Sequence, residues 1–323
     1  MRPGNLYTLR VESRDLVFSQ VFAVAGNARR GTEALFVRLE GEGLTGLGQA
    51  SFPPYMLPTR VENQAQLLEW VARGPRELGE WAAYLEQPER VSPGCLPALA
   101  ALDMAWHNAM EQHSGQAVWQ MLGVPNPEAV RSCHTIGIGD AAFTRAAIEA
   151  GKDAPWIKLK LDADRERTRA VIALVTRLTE QPIAVDFNQA FVKREEAIRS
   201  LEYLPARQVF LVEQPLAVHA DEDNLWLRAR TTLPIYGDES IQTAADLQQK
   251  AELFNGINVK LMKCGGLRPA LRLHAQSRAA GLGTLIGCMA ESVIATSAAA
   301  QLAGLFDYAD LDGHVLISND WVE

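Results

Sequence analysis

A (β/α)8-type barrel behind a smaller N-terminal α+β domain is the α/β fold that this sequence of 323 residues predicts. From about residue 130 onward, eight short apolar runs alternate with amphipathic helical patterns. Their spacing of roughly 25 residues fits a strand followed by a helix, and eight such repeats close a barrel. Before residue 130, longer β-rich runs come first and helices follow. We therefore expect the α+β domain over residues 1–125 and the barrel over residues 126–323.

The N-terminal domain opens with β-forming runs around glycine-containing turns. The segments LYTLRVES and ALFVRLEGEGLTGLGQAS predict a hairpin, because β-formers lie on both sides of short Gly-rich breaks. One helical pattern starts near Val61. A second, CLPALAALDMAWHNAMEQHSG, is apolar at helical spacing and ends at Gly115, a residue type that commonly terminates helices.

The barrel is predicted from its strands and from the helices between them. The strand candidates are SCHTIGIG, WIKLKL, IAVDFN, VFLVEQP, IYGDE, INVKL, GTLIGC and YADLD. Amphipathic patterns such as RERTRAVIALVTRL, EEAIRSLEYL and RPALRLHAQSRAAG separate them. An open doubly wound sheet is the alternative, but no G-x-G-x-x-G follows the first strand and no P-loop is present, so the barrel is favoured.

Composition and charge exclude several classes of protein. The 31 Lys and Arg against 39 Asp and Glu give a net charge of −8, whereas phosphate-backbone binding normally needs a basic face. No apolar run is long enough to span a bilayer, and the first residues lack the apolar core of a secretory signal. Four scattered cysteines do not make a disulfide framework. We expect a cytoplasmic protein that binds neither nucleic acid nor membrane.

Three acidic residues lie at the ends of neighbouring predicted barrel strands. Asp186, Glu213 and Asp238 are each separated by one strand–helix unit, so they lie at the same level of the barrel mouth, where barrel active sites are found. Three carboxylates in a partly dehydrated site repel one another, and a bound divalent cation relieves that repulsion. An all-oxygen ligand set favours Mg²⁺.

Lysines flank this acidic centre. Lys158 and Lys160 point to the same side of one strand, since residues i and i+2 share a face. Their neighbouring charges should lower the pKa of one of them and make it usable as a base. Lys260 lies four strands further on and therefore opposite. Such a site suits 1,1-proton transfer, in which one lysine removes the proton next to a metal-bound carboxylate and the other returns a proton to the opposite face.

Other polar residues are less informative. Asp310 and Asp312, an i, i+2 pair, could end the last strand or equally hold a substrate ammonium group. Lys263 is interpreted as a structural or rim residue rather than a catalytic one. A buried thiol is favoured over a nucleophile for Cys264 and Cys288, because no partner histidine is evident. The six histidines show no metal-ligand spacing.

Together these motifs resemble the enolase superfamily, in its muconate-lactonising subgroup. The resemblance runs from about residue 30 to residue 314. The motifs that carry it are K-x-K (Lys158, Lys160), DFNQ (Asp186), VEQP (Glu213), GDES (Asp238) and NVKLMKCGG (Lys260). The helix CLPALAALDMAWHNAM resembles the one that ends the capping domain of that superfamily. The terminal DLDG resembles the Asp-x-Asp of dipeptide epimerases of the L-Ala-D/L-Glu type, where the pair binds the free amino group.

The resemblance implies a role for each matching residue. It implies one Mg²⁺ per subunit on Asp186, Glu213 and Asp238, and acid/base roles for Lys160 and Lys260. The implied substrate contacts are Thr135, Lys158, Cys288, Ala290, Asp310 and Asp312, with Asn188 and Glu239 as neighbours of the metal and of Lys260.

The expected activity is that of a Mg²⁺-dependent dipeptide epimerase, an isomerase that inverts the α-carbon of the C-terminal residue through an ene-diolate. A cycloisomerase or o-succinylbenzoate synthase on the same scaffold is the alternative, and a non-catalytic binding protein is the second. Gly26 stands where epimerases of the Ala-Glu type often carry an arginine, so the preferred side chain is open, and Arg29 or Arg30 could replace that arginine. The sequence also leaves open whether the chain forms a homo-oligomer.

Overall fold

The structure, a computed structural model, describes residues 7–54, 58–75, 77–86 and 94–320. Within these residues it consists of a three-stranded antiparallel sheet with helices against it and an eight-stranded parallel sheet rolled into a barrel. The predicted α/β fold class is confirmed. None of the described helices combines the length and apolar character needed to cross a membrane.

The N-terminal sheet is a meander of three long strands in the order in which they occur in the chain. The strands are β1 (Thr8–Val24), β2 (Asn27–Gly41) and β3 (Leu44–Phe52). The β1–β2 turn contains Gly26 at a φ of 70°, a left-handed conformation that glycine adopts without strain. The predicted hairpin is therefore present, and it is longer than the two quoted segments indicated.

Four helices accompany this sheet: α1 (Arg60–Arg73), α2 (Glu80–Leu85), α3 (Leu96–Ser114) and α4 (Val118–Met121). Helix α1 begins one residue before the predicted start and is capped by Thr59, whose hydroxyl accepts from the backbone N–H of Glu62. Helix α3 ends at Gly115, as predicted. It lies so close to β3 that a Cβ at Gly46 or Gly48 would fall within 1.9 Å of a backbone carbonyl oxygen of α3. The two glycines thus set the closest approach of helix and sheet.

The barrel strands coincide with the eight predicted segments. They are β4 (His134–Ile136), β5 (Ile157–Lys160), β6 (Ile183–Asp186), β7 (Val209–Glu213), β8 (Ile235–Gly237), β9 (Gly256–Lys260), β10 (Gly283–Gly287) and β11 (Tyr308–Asp310). Each pairs in parallel with its neighbour in chain order. The Cys133 backbone N–H donates to the Ala309 carbonyl at 3.1 Å, which brings the first and last strands together. The buried side chains of these strands are mostly apolar.

Helices connect the barrel strands and cover their outer face: α5 (Ala141–Ala150), α6 (Arg165–Leu178), α7 (Arg194–Leu201), α8 (Asp221–Arg228), α9 (Ala244–Lys250), α10 (Leu261–Cys264), α11 (Leu267–Ala279) and α12 (Val293–Ala300). The expected domain boundary at residues 125/126 falls between α4 and β4, and it stays a prediction. Contacts cross this division, because Asp103 of α3 accepts at 2.6 Å from the backbone N–H of Leu267, at the start of α11.

Candidate active site

Three buried carboxylates meet where β6, β7 and β8 end. Asp186 and Glu213 are the last residues of their strands and pair directly in the sheet register, and Asp238 immediately follows β8. One oxygen from each carboxylate lies within 4.8 Å of the other two, and the side chains are 0–2% exposed. The in-register placement predicted from the spacing is what brings these three groups together.

Their close approach shifts the pKa values in opposite directions. Burial and the neighbouring Asp186 raise the pKa of Glu213 to about 8. Burial also opposes ionisation of Asp186, but the ammonium groups of Lys160 and Lys158 outweigh it and hold the pKa of Asp186 at about 2. Positive charge is therefore what allows several carboxylates to stay ionised in this dry site.

Lys158 lies in the middle of the acidic groups. Its Nζ is 2.6 Å from Asp310, 2.8 Å from Glu213 and 3.2 Å from Asp186. Burial acts to lower the pKa of Lys158, but the Asp310, Glu213 and Asp186 carboxylates outweigh it, and the pKa is raised well above its usual value. Lys158 is therefore not a lysine whose pKa is lowered by its neighbour, because carboxylates from three other strands dominate.

Lys160 and Lys260 approach the acidic cluster from two sides. Lys160 Nζ lies 2.5 Å from Asp186 Oδ2, and Lys260 Nζ lies 2.8 Å from Asp238 Oδ2. The two lysines end the second and the sixth barrel strands, which are four strands apart in the sheet order. Their ammonium groups therefore face each other across the mouth of the barrel.

Lys263, which the sequence did not single out as a catalytic residue, contacts Asp238. Its Nζ donates to the Asp238 carbonyl at 2.6 Å, to the Asn258 carbonyl at 2.8 Å and to the Asp238 carboxylate. These three contacts hold Lys263 against Asp238, so this lysine orients that carboxylate. The short helix α10 turns the chain back directly after Lys260 and so brings Lys263 to Asp238.

The last strand carries two carboxylates with different partners. Asp310 is bound to Lys158, which with Lys160 outweighs burial and lowers the pKa of Asp310. Asp312 accepts from the Thr135 backbone N–H at 2.5 Å and from its hydroxyl at 2.9 Å. Burial and the adjacent Asp310 raise the pKa of Asp312. The i, i+2 pair thus combines one charge-compensated carboxylate with one held by neutral donors.

Asn188 and Glu239 lie beside the acidic cluster. The Asn188 backbone N–H donates to Asp186 Oδ1 at 2.8 Å, and its side-chain amide donates to Glu239 at 3.4 Å. Burial, with the negative charges of Asp238 and Asp186, raises the pKa of Glu239 to about 7. Asn188 adopts a φ of 41°, an unusual backbone conformation that is common near functional sites.

Ten of the predicted residues line one cavity of about 300 Å³ at the barrel mouth. They are Thr135, Lys158, Lys160, Asn188, Glu239, Lys260, Cys288, Ala290, Asp310 and Asp312. Asp186, Glu213 and Asp238 are not among the lining residues, but each contacts a lysine that lines the cavity. Cys288 accepts from the Gly313 backbone N–H at 3.3 Å, and burial raises its pKa well above the usual range, which argues against a nucleophile. A larger cavity of about 980 Å³ beside α6 contains none of the predicted residues.

The N-terminal hairpin supplies a wall of the cavity that sequence reasoning did not identify as a whole. Phe22 pairs with Arg29 and Val24 pairs with Asn27 across β1 and β2, so each pair projects from the same face. All four line the cavity. Of the two arginines considered as replacements at Gly26, Arg29 faces the cavity and Arg30 is exposed outside it.

The fold and this site together define the class. Residues 139–320 match the family model described as enolase C-terminal domain-like. The chain belongs to the enolase superfamily.

Within the superfamily, similar proteins include epimerases of dipeptides. The chain is 34% identical to L-Ala-D/L-Glu epimerase of Bacteroides thetaiotaomicron, over 95% of this chain and 80% of that protein. It is 33% identical to the hydrophobic dipeptide epimerase of Roseobacter litoralis, over 90% and 85%. A solved dipeptide epimerase from Enterococcus faecalis, complexed with Mg and L-Leu-L-Tyr, superposes with a TM-score of 0.91 at 25% identity, covering 98% of this chain and 93% of that one.

Proposed function

We propose that this protein is a Mg²⁺-dependent dipeptide epimerase, an isomerase that inverts the α-carbon of the C-terminal residue. The observation that carries the proposal is the pair of lysines, Lys160 and Lys260, that face each other above an acidic cluster in a cavity that also contains Asp310 and Asp312. The barrel domain, residues 126–323 in this proposal, supplies all of these groups. The capping domain, residues 1–125, closes the cavity with its hairpin.

Asp186, Glu213 and Asp238 are the residues that would hold one Mg²⁺ per chain. Their donor set is entirely carboxylate oxygen, the ligand type that Mg²⁺ prefers. One oxygen of each carboxylate lies within 4.8 Å of the other two, so the three side chains would share a single ion. When bound, the ion would stabilise the negative charge that develops on the substrate carboxylate during proton removal.

The protein's own groups would perform the proton transfers. Lys160 and Lys260 would take the α-proton from one face of the substrate and return a proton to the other, because they lie on opposite sides of the cavity. Lys158 carries a fixed positive charge beside them and would bind the substrate carboxylate. Two acid/base groups in this arrangement run the reaction in both directions with the same residues.

Asp310 and Asp312 would recognise the free amino group of a dipeptide. Lys158 already compensates the charge of Asp310 at 2.6 Å, whereas Thr135 gives Asp312 only neutral hydrogen bonds. A substrate ammonium would therefore gain most from Asp312. This feature disfavours the cycloisomerase and o-succinylbenzoate synthase alternatives, because their substrates carry no ammonium group. A non-catalytic binding protein would have no use for opposed lysines.

The test follows the α-proton directly. The protein is incubated with L-Ala-L-Xaa dipeptides and Mg²⁺ in D₂O, and NMR records loss of the C-terminal α-proton signal and appearance of the L,D product. We expect exchange and epimerisation with at least one dipeptide, and loss of both with EDTA. A folded protein that binds Mg²⁺ by calorimetry yet exchanges no dipeptide proton would overturn the proposal.

A metal-site variant gives a readout that does not depend on activity. Glu213→Gln removes one of the three carboxylates and should weaken Mg²⁺ binding in calorimetry. Glu180→Gln, an exposed glutamate between α6 and β6 at the opposite end of the barrel, is the matched control that should leave Mg²⁺ affinity unchanged. Equal affinity in the wild type and in Glu213→Gln would contradict the assignment of the metal ligands.

A further inference from the structure

The segment between β10 and α12, residues 288–292, forms one side of the cavity. Cys288, Met289 and Ala290 line it. On the side of the last strand, this segment rests on Gly313, where a Cβ would fall 2.1 Å from the Met289 carbonyl oxygen. Within the segment, the buried Glu291 carboxylate accepts from the Met289 backbone N–H. The third side of the segment faces the N-terminal sheet.

On that side, two polar residues of β3 contact the segment directly. Gln49 and Ser51 point to the same face of the strand, and both are fully buried. The Ser51 hydroxyl donates to the Ala290 carbonyl at 2.9 Å. Ser292, also fully buried, donates to Gln49 Oε1 from its backbone N–H at 3.1 Å and from its hydroxyl at 3.3 Å.

A hydrogen bond between the two β3 residues completes a relay. Gln49 Nε2 donates to the Ser51 hydroxyl oxygen at 2.8 Å. Both ends of the relay are backbone groups of fixed polarity, since the Ser292 N–H can only donate and the Ala290 carbonyl can only accept. The residue between them must therefore accept on one side and donate on the other. The glutamine amide does both, whereas an ionised carboxylate can only accept.

We propose that Gln49 is a positioning residue that fixes the Ala290 wall of the substrate cavity through Ser51. The capping sheet thereby determines the shape of a pocket built in the barrel, without touching the substrate itself. The effect of Gln49 on substrate binding rests on the proposed function. The anchoring of residues 288–292 does not depend on which reaction the protein catalyses.

The variant Gln49→Glu tests the polarity of the relay. A glutamate of the same size can still accept from Ser292, but it would compete for the single Ser51 hydroxyl proton and leave the Ala290 carbonyl without its donor. We expect KM for the best dipeptide to rise about tenfold, as for the loss of a buried hydrogen bond, with kcat and Mg²⁺ affinity nearly unchanged. Amide hydrogen exchange of a peptide covering residues 288–292 should become faster.

Ser51→Ala removes the same contact from the other end without introducing a charge. If the relay is one unit, Ser51→Ala should raise KM to a similar extent, and the double variant should be little worse than either single variant. Gln112→Glu is the matched control, because the Gln112 amide also bonds β3, at Thr45, but lies far along the strand from the cavity. It should change neither KM nor the exchange of residues 288–292.

The outcomes separate the two proposals. Unchanged exchange of residues 288–292 in both Gln49→Glu and Ser51→Ala, or additive effects in the double variant, would overturn the relay. If the wild type epimerises no dipeptide, the proposed function fails, but the exchange measurement still decides whether Gln49 and Ser51 anchor the segment.

Discussion

Lys160 and Lys260 end strands on opposite sides of the barrel, and each places its ammonium group on a different member of one acidic cluster, Asp186 for the first and Asp238 for the second. A substrate carbon between them would be exposed to one lysine on each face. The arrangement has a consequence for stereochemistry, because loss of either lysine would abolish proton transfer at one face of the substrate carbon only.

The first prediction concerns these two lysines. Lys160→Ala and Lys260→Ala should each lower the rate of epimerisation by at least about 10³-fold, the size of a lost general acid/base. Each variant should still exchange the α-proton of one diastereomer in D₂O, and the two variants should exchange opposite diastereomers. NMR of L,L and L,D dipeptides measures this directly.

Lys193→Ala, an exposed lysine before α7, is the control and should match the wild type. Two variants that exchange the same diastereomer would mean that the lysines do not act on opposite faces. Full epimerase activity in either variant would remove that lysine from the reaction.

The second prediction concerns the amino group of the substrate. Asp312→Asn should raise KM for dipeptides roughly 10- to 100-fold, because a hydrogen bond to a charged group is lost, with little change in Mg²⁺ affinity. Thr135→Val should raise KM less, since it removes the hydroxyl contacts to Asp312 and Asp310 but leaves the backbone N–H bond to Asp312. Steady-state kinetics with calorimetry distinguishes the two effects. If Asp312→Asn binds dipeptides normally, the ammonium group is recognised elsewhere.

The positions of the charged residues at the strand ends could be predicted from the sequence, because they depend on the local pattern of apolar and polar residues. Each of Asp186, Glu213 and Asp238 follows an apolar run of β-formers, and parallel strands of equal repeat place such residues at one level. The alternation of side chains likewise placed Lys158 and Lys160 on one face. In these cases the short-range sequence decides the geometry.

Contacts between distant segments could not be predicted in this way. Which hairpin residues face the cavity depends on how α3 packs against Gly46 and Gly48, and on how the sheet then lies over the barrel. The relay from Gln49 to Ala290 joins residues that are far apart in the chain. The pKa of Lys158 depended on carboxylates of three other strands, which a count of neighbouring charges along the sequence did not include.

The third prediction concerns the side chain of the C-terminal residue of the dipeptide substrate. Arg29 is the arginine that faces the cavity among the described hairpin residues 22–29, beside the apolar Phe22 and Val24. Arg29→Ala should raise KM for L-Ala-L-Glu about tenfold through loss of a charge-assisted hydrogen bond, and should leave KM for L-Ala-L-Leu nearly unchanged. Arg30→Ala, an exposed neighbour outside the cavity, is the matched control. Equal effects of Arg29→Ala on both dipeptides would show that Arg29 does not bind the glutamate side chain of the substrate.

The fourth prediction concerns the pH dependence of stability. Burial raises the pKa of Glu291 to about 7, despite its hydrogen bond from Met289 and the nearby Lys260. The folded protein therefore binds this proton more tightly than the unfolded chain does. The stability that the protonated carboxyl contributes is complete below pH 4.5 and is lost as pH rises to about 7, at a cost of about 3 kcal/mol.

Glu291→Gln keeps the shape and the acceptor for the Met289 N–H but cannot ionise. The free energy of unfolding, measured in urea at pH 5 and pH 8 with saturating Mg²⁺, should fall less in this variant than in the wild type. All other titrating groups are common to both proteins, so the difference between the two falls isolates Glu291. Parallel pH profiles for the two proteins would show that Glu291 ionises in the folded state as readily as in the unfolded chain, and that the segment 288–292 does not need its carboxyl protonated.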